Sequence, residues 1–241
     1  MWTSADLKMR AKGAFYKNYW HCVLTAFVMS LFIAGVSDRV INFTKYYDYS
    51  LYTDGYYGGM GFFFPAMFGI GLGLFAMMFS VLGVVLQVFV GNALIVGGNR
   101  FFIQNQTENP SAMELGYAFR TNGYLNVVLT MFLKNLYQSL WTLLFVIPGV
   151  IKHYEYLMVP YIIAENPQMD NKEAFAISKR MMMGQKMNAF VLDLSFIGWH
   201  FVSALTFGLA GIFFVRPYYQ ATFAELYSVN RTRAYQEGYI R

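Results

Sequence analysis

Long apolar runs alternate along the chain with short segments in which charge returns. The apolar runs fall at about 19–36, 68–97, 124–147, 150–165, 188–206 and 209–227. A helix crossing about 30 Å of hydrocarbon needs roughly 20 such residues, so the pattern predicts an all-α membrane protein with six transmembrane helices paired as three hairpins. The fourth run is short, at 16 residues, about 24 Å of helix at 1.5 Å per residue. Its flanking loops both carry the basic residues of an inner segment, so an even number of crossings must separate them and Pro148-Gly149 reads as the outer turn of a tight hairpin. A re-entrant segment is the alternative.

The polar segments between hairpins have helical patterns of their own. "TSADLKMRAKGAFYKN", "SAMELGYAFRTNG" and "DNKEAFAISKRMMMGQK" pair Thr3 with Asp6, Ser111 with Glu114 and Asp170 with Glu173 at capping-box spacing, and only Ser111 with Glu114 has the preferred chemistry. In the third segment Ala174, Ile177, Ser178 and Met181 fall on one face, while Lys172, Lys179, Arg180 and Lys186 supply positive charge. That combination suits a helix lying in the headgroup layer. Each hairpin is thus expected to follow a short cytoplasmic amphipathic helix.

Charge then fixes the orientation. Basic residues number four before residue 19, two between 98 and 123, four between 166 and 187 and three after 228, against Arg39, Lys45 and Lys152 on the other side. The positive-inside rule places both termini in the cytoplasm and the tyrosine-rich loop 37–67 outside. The same topology accounts for a pI near 9.1 without nucleic acid. At 57% hydrophobic and 13% charged the chain is too apolar for an ordinary soluble domain. The basic start before the first run resembles a signal peptide, but "AGVSDRV" offers no convincing cleavage site, and a retained first helix is expected. The lone Cys22 has no internal partner and no histidines at metal-ligand spacing, so neither a metal nor a cofactor is expected.

An internal repeat is also visible. "ENPSAMELGYAFRTNGYLNVVL" compares with "ENPQMDNKEAFAISKRMMMGQKMNAFVL", and "VPYIIAE" echoes "RPYYQATFAE". Three units of amphipathic helix plus hairpin follow from this, the first most diverged; common membrane-boundary composition is the alternative origin. Tyrosines between Tyr46 and Tyr57 suit an interfacial belt or a surface that catches an external peptide or glycan. Gly69 and Gly73 form a GxxxG pair suited to close packing within the bundle or between copies.

Chemistry concentrates on ionisable groups inside the runs, which are costly and pair or face a polar cavity. These are Lys134, Lys152 and Glu155, Asp193 and Arg216, joined by Gln138 and His153. Lys134, Tyr137, Gln138 and Trp141 recur at helical spacing and predict one inward stripe. Lys152 and His153 can snorkel to outer water. Glu155, shorter and deeper, is expected to pair with Lys134 or Arg216 in a buried network lining an outward vestibule, or with Lys152 one turn away. Asp193 suits a helix N-terminus near the inner face. No HExxH, GxSxG or phosphate-binding glycine loop occurs, and no enzymatic activity is expected.

"IPGVIKHYEYLMVPYIIAENP", followed by "ISKRMMMGQK", "LDLSFIGW" and "RPYYQATFAELY", resembles a bacterial integral membrane family catalogued as a domain of unknown function, number nine-seven-five. The resemblance runs from about Gly97 to Tyr227 and includes "AKGAFYKNYW"; it implies a six-helix fold in the bacterial cytoplasmic membrane and no established activity. His153 and Arg216 depart from the pattern the family implies. The expected partners are membrane lipids and an amphiphilic ligand or peptide bound or passed in a polar intramembrane cavity. The alternatives are an accessory or immunity-type subunit holding a protein partner or a second copy, and a lipid-modifying enzyme.

Overall fold

The computed structural model describes residues 2–33 and 63–240, with side chains placed from residue 74 onward in the second stretch, Ala76 excepted. The tyrosines from Tyr46 to Tyr57 lie outside the described residues, as do the side chains flanking Gly69 and Gly73. Every regular element among the described residues is helical. The elements are α1 (Ser4–Lys17), α2 (Tyr19–Ile33), α3 (Phe63–Leu86), a π turn (Gln87–Gly91), α4 (Asn92–Gln104), a 3-10 turn (Ala112–Gly116), α5 (Tyr117–Arg120), α6 (Tyr124–Leu144), α7 (Val146–Glu155), α8 (Val159–Glu165), α9 (Asn171–Met181), α10 (Lys186–Leu194), α11 (Ile197–Leu205), a second π turn (Gly211–Val215) and α12 (Arg216–Gln236). Two compact units result, residues 1–30 with 92–241, and residues 31–91.

The polar segments fold locally as their caps dictate, with one exception. Thr3 Oγ1 accepts from the Asp6 amide at 3.2 Å and donates to the Asp6 carboxylate at 2.6 Å, which starts α1. Asp170 accepts from the Lys172 amide at 3.1 Å and starts α9. Ser111 accepts only from Met113, at 3.4 Å, and its segment forms a 3-10 turn and the four-residue α5 instead of one amphipathic helix. Glu114 is drawn away from the cap by Arg100 at 3.5 Å and Arg120 at 3.9 Å.

The predicted fourth run is two helices. Between α7 and α8 the chain turns at Tyr156–Met158, because Pro160 has no N–H for the Tyr156 carbonyl and its ring would clash with it. The Val159 amide bonds that carbonyl instead, at 3.2 Å. The turn before α7 also moves. Phe145, extended at φ −154° and ψ 137°, separates α6 from α7, and Pro148 sits in the first turn of α7, where a missing N–H costs nothing. Gly149 lets the two helices close: a Cβ there would lie 2.5 Å from Thr142 Oγ1.

Proline punctuates α12 in the same way. Pro217 follows the second π turn, and the Phe213 carbonyl that it leaves without a helical donor accepts the Tyr19 hydroxyl at 3.1 Å. An irregular turn therefore precedes each of α4, α8 and α12. These three helices form the centre of the larger compact unit, with α4 packed on both α8 and α12. The Tyr161 and Tyr227 rings stack at 5.3 Å between α8 and α12.

Around this centre the short helices pack in rotation: α1 on α12, the 3-10 turn on α4, and α9 on α8. Each clasps the second helix of the preceding repeat, and α1 closes the cycle. The connecting loops repeat as well. Asn18 Nδ2 donates to the Pro110 carbonyl at 2.9 Å, and Asn126 Nδ2 donates to the Pro167 carbonyl at 2.9 Å, so each Glu-Asn-Pro loop is held by an asparagine of the repeat before it. Phe15, Phe101, Phe102, Phe196 and Phe223 are fully buried here, each contributing roughly 1.5–3 kcal/mol of burial where the reference is water.

The ends of the helices away from this core show the opposite pattern. Leu140, Leu143, Phe201, Leu205 and Phe207 are all exposed, an apolar surface that water does not favour. Among the described residues two helical stretches, Met77–Gln104 and Lys186–Leu205, are long and apolar enough to cross a membrane, and Tyr19–Ile33 is a shorter apolar helix.

Candidate functional site

The predicted polar residues gather around the last turn of α7, which presents Lys152, His153, Tyr154 and Glu155 in four different directions. Lys152 and His153 meet α6, Tyr154 meets α10, and Glu155 meets α9 and α10.

Glu155 is 5% exposed. Its carboxylate accepts from Lys152 Nζ at 2.7 Å and Lys186 Nζ at 2.6 Å, and its backbone carbonyl accepts from Ser178 Oγ at 2.7 Å. Of the partners expected for Glu155, Lys152 is found while Lys134 and Arg216 are not; Lys186, its side chain still 31% exposed, joins Lys152 there. The reason is positional: Lys186 opens α10, and α10 packs on α7, bringing an amine 31 positions along the chain to the carboxylate. The Lys152 amine also lies over the Trp141 and Tyr156 rings, at 5.4 and 5.6 Å.

His153 Nδ1 lies 3.0 Å from Gln138 Nε2 on α6. The charges of Lys134 and Asp193 both act on this ring. Lys134 is one helical turn from Gln138 on the same face, is half-buried, and has no hydrogen bond or ion pair among the described residues. Its predicted companions divide: Gln138 meets His153, whereas Tyr137 packs on Phe175 at 5.6 Å, and Tyr137 and Trp141 are each 39% exposed. The stripe is not uniformly inward.

Tyr154 donates to Asp193 Oδ2 at 2.9 Å, and Tyr219 of α12 lies against the same carboxylate. Asp193 stands near the C-terminal end of α10, so an N-terminal dipole is not what holds it; two tyrosines do. Arg216 is exposed and donates to Ser30 Oγ, away from the cluster. Among the surface candidates, Lys172, Lys179 and Arg180 are exposed while Ala174, Ile177, Ser178 and Met181 are buried, the division the helical pattern predicts. The tyrosines Tyr154 and Tyr219 were not singled out by sequence reasoning; their only signal was lying at helical positions level with an acidic residue on another element.

The cluster therefore holds Lys134, Lys152 and Lys186 against Glu155 and Asp193, an excess of one positive charge with His153 neutral. No group of three metal-ligating side chains occurs among the described residues.

Residues 143–233 match the family described as Protein of unknown function (DUF975), which shows the resemblance over α7 through most of α12. That stretch contains Lys152, Glu155, Lys186 and Asp193; Lys134 and Gln138 precede it. Neither a curated protein nor a solved structure matches the chain.

Proposed function

We propose, for a chain whose residues 143–233 match that family of unknown function, a non-enzymatic protein of the bacterial cytoplasmic membrane that binds an anionic amphiphile among its helices. In this reading six crossings form three hairpins entered from the cytoplasmic side, with both termini inside. The distribution of basic residues supports the orientation. The exposed apolar ends of α6, α7, α10 and α11 support their contact with lipid.

Lys134 is the observation on which the reading rests. A lysine in the middle of a crossing costs about 2.5–3.5 kcal/mol on insertion scales, and this one has no carboxylate beside it among the described residues. A ligand carboxylate at Lys134, within reach of Gln138 and His153, would neutralise the excess charge. Binding fits better than passage, because Glu155 and Asp193 are occupied by partners of their own. Since Lys186 begins α10 on the inner side, the polar cluster opens toward the cytoplasm and not outward.

Oleate titrated into the purified protein tests this, with lysophosphatidylcholine as the zwitterionic control. Oleate raises the melting temperature of the wild type. Lys134→Met melts higher than the wild type without oleate, having lost an unpaired charge, and no longer responds to it. An undiminished oleate shift in Lys134→Met refutes the assignment.

A further inference from the structure

The turn joining α9 to α10 encloses a second feature outside the cluster, an open hollow of about 410 Å³ lined by Lys179, Met183, Gly184, Lys186 and Met187. This volume falls in the range of small-molecule sites. Gly184, at φ +73° with nothing within 4 Å of a would-be Cβ, turns the backbone aside and leaves the space open. The chemistry of the lining is divided. Lys179 is exposed and its neighbour Arg180 is directed away, over the Tyr239 ring at 5.6 Å. Lys186 gives one N–H to Glu155 and has two more to offer. Met183 and Met187 are 66% and 68% exposed, apolar side chains standing free beside two ammonium groups.

The other short helices repeat the combination at the rim: Met9 beside Lys8 and Arg10, and Met113 and Phe119 beside Arg120, are likewise exposed. A surface of methionine and phenylalanine next to lysine and arginine matches the boundary between acyl chains and anionic headgroups. At the α9–α10 turn such a surface borders a hollow with room for a single headgroup.

We propose that the α9–α10 turn is a binding site for one anionic phospholipid, its phosphate held between Lys179 and Lys186 and its acyl chains laid over Met183 and Met187. The anchoring of Lys186 by Glu155 fixes one side of the site to the bundle interior, so occupancy of the turn stiffens α10 against α7. The proposal rests on the same inner-face placement of residues 166–187 as the functional reading but on different residues, and Lys134→Met leaves it untouched.

The test is binding of phosphatidylglycerol to the full chain in phosphatidylcholine nanodiscs, followed by native mass spectrometry or lipid titration. Lys179→Gln and Met183→Ser avoid the Glu155–Lys186 bond and keep the fold. A basic residue beside anionic lipid is worth about 1 kcal/mol, or roughly fivefold in affinity. Lys179→Gln is therefore expected to weaken phosphatidylglycerol about fivefold, and Met183→Ser to weaken it further, while Lys172→Gln at the opposite end of α9 has no effect. Equal affinity in the wild type and Lys179→Gln overturns the site, as does an equal loss in Lys172→Gln, which would mark diffuse attraction. Inorganic phosphate that competes with the same lysine dependence overturns the lipid assignment in favour of a free anion.

Discussion

Replacing Glu155 by glutamine isolates the contribution of its two ion pairs, because the amide retains shape and one acceptor oxygen. The carboxylate is 6% exposed as a side chain, while Lys152 and Lys186 are 23% and 31% exposed. Full burial of both partners would make the loss about 3–5 kcal/mol. Here each lysine can turn partly to water, so the loss is smaller: of two charge-assisted hydrogen bonds, each worth about 1.5–3 kcal/mol, the amide oxygen can keep one, and the amide NH2 faces the other lysine donor to donor. Glu155→Gln is accordingly expected to destabilise by about 2–3 kcal/mol. The assay is reversible denaturation in detergent, arranged as a double-mutant cycle. Lys186→Met should couple to Glu155→Gln by at least about 1 kcal/mol, whereas Lys134→Met and Arg216→Met should be additive with it. A silent Glu155→Gln, or coupling to Lys134 in place of Lys186, would refute the ion-pair assignment.

Gly97→Ala places a Cβ 2.2 Å from the Leu115 carbonyl oxygen, forcing the 3-10 turn off α4; the overpacking cost is about 1–3 kcal/mol, read as a lowered melting temperature. Cys22 is fully buried and its Sγ accepts from Asn105 Nδ2 at 3.3 Å, so maleimide should react with it only in denaturant, and rapid labelling of the folded protein would contradict its placement. Glu165→Gln, facing Arg231 and Tyr227 at a half-exposed position, should cost about 1 kcal/mol or less in the same denaturation assay, well below Glu155→Gln.

Much of the architecture could be read from residue order because its causes are local. The buried face of α9, the Thr3 and Asp170 caps and the Lys152–Glu155 pair all depend on spacings of two to four residues. The repeat was legible through "VPYIIAE" and "RPYYQATFAE", whose prolines each follow a break in the helix. What escaped were events between distant elements. The bond from Lys186 to Glu155 was hidden because nothing near Lys186 in sequence is acidic, and only the fold brings α10 to α7. The turn at Phe145 escaped because Pro148-Gly149 carries a turn signature that helices also tolerate in their first turn. The π turns before α4 and α12 left no compositional mark, and the rotation of short helices around α4, α8 and α12 emerges only from packing.

The account depends throughout on three hairpins entered from the inner face, and cysteine-accessibility labelling tests that most directly. In a Cys22→Ser background, single cysteines replace Lys179 on exposed α9 and Phe207, 98% exposed in the turn between α11 and α12. In intact cells an impermeant maleimide is expected to label position 207 and to reach position 179 only after the membrane is opened. Labelling of position 179 from outside, or protection of position 207 until the membrane is opened, would contradict the topology and, with it, the inner-face placement of both proposed sites.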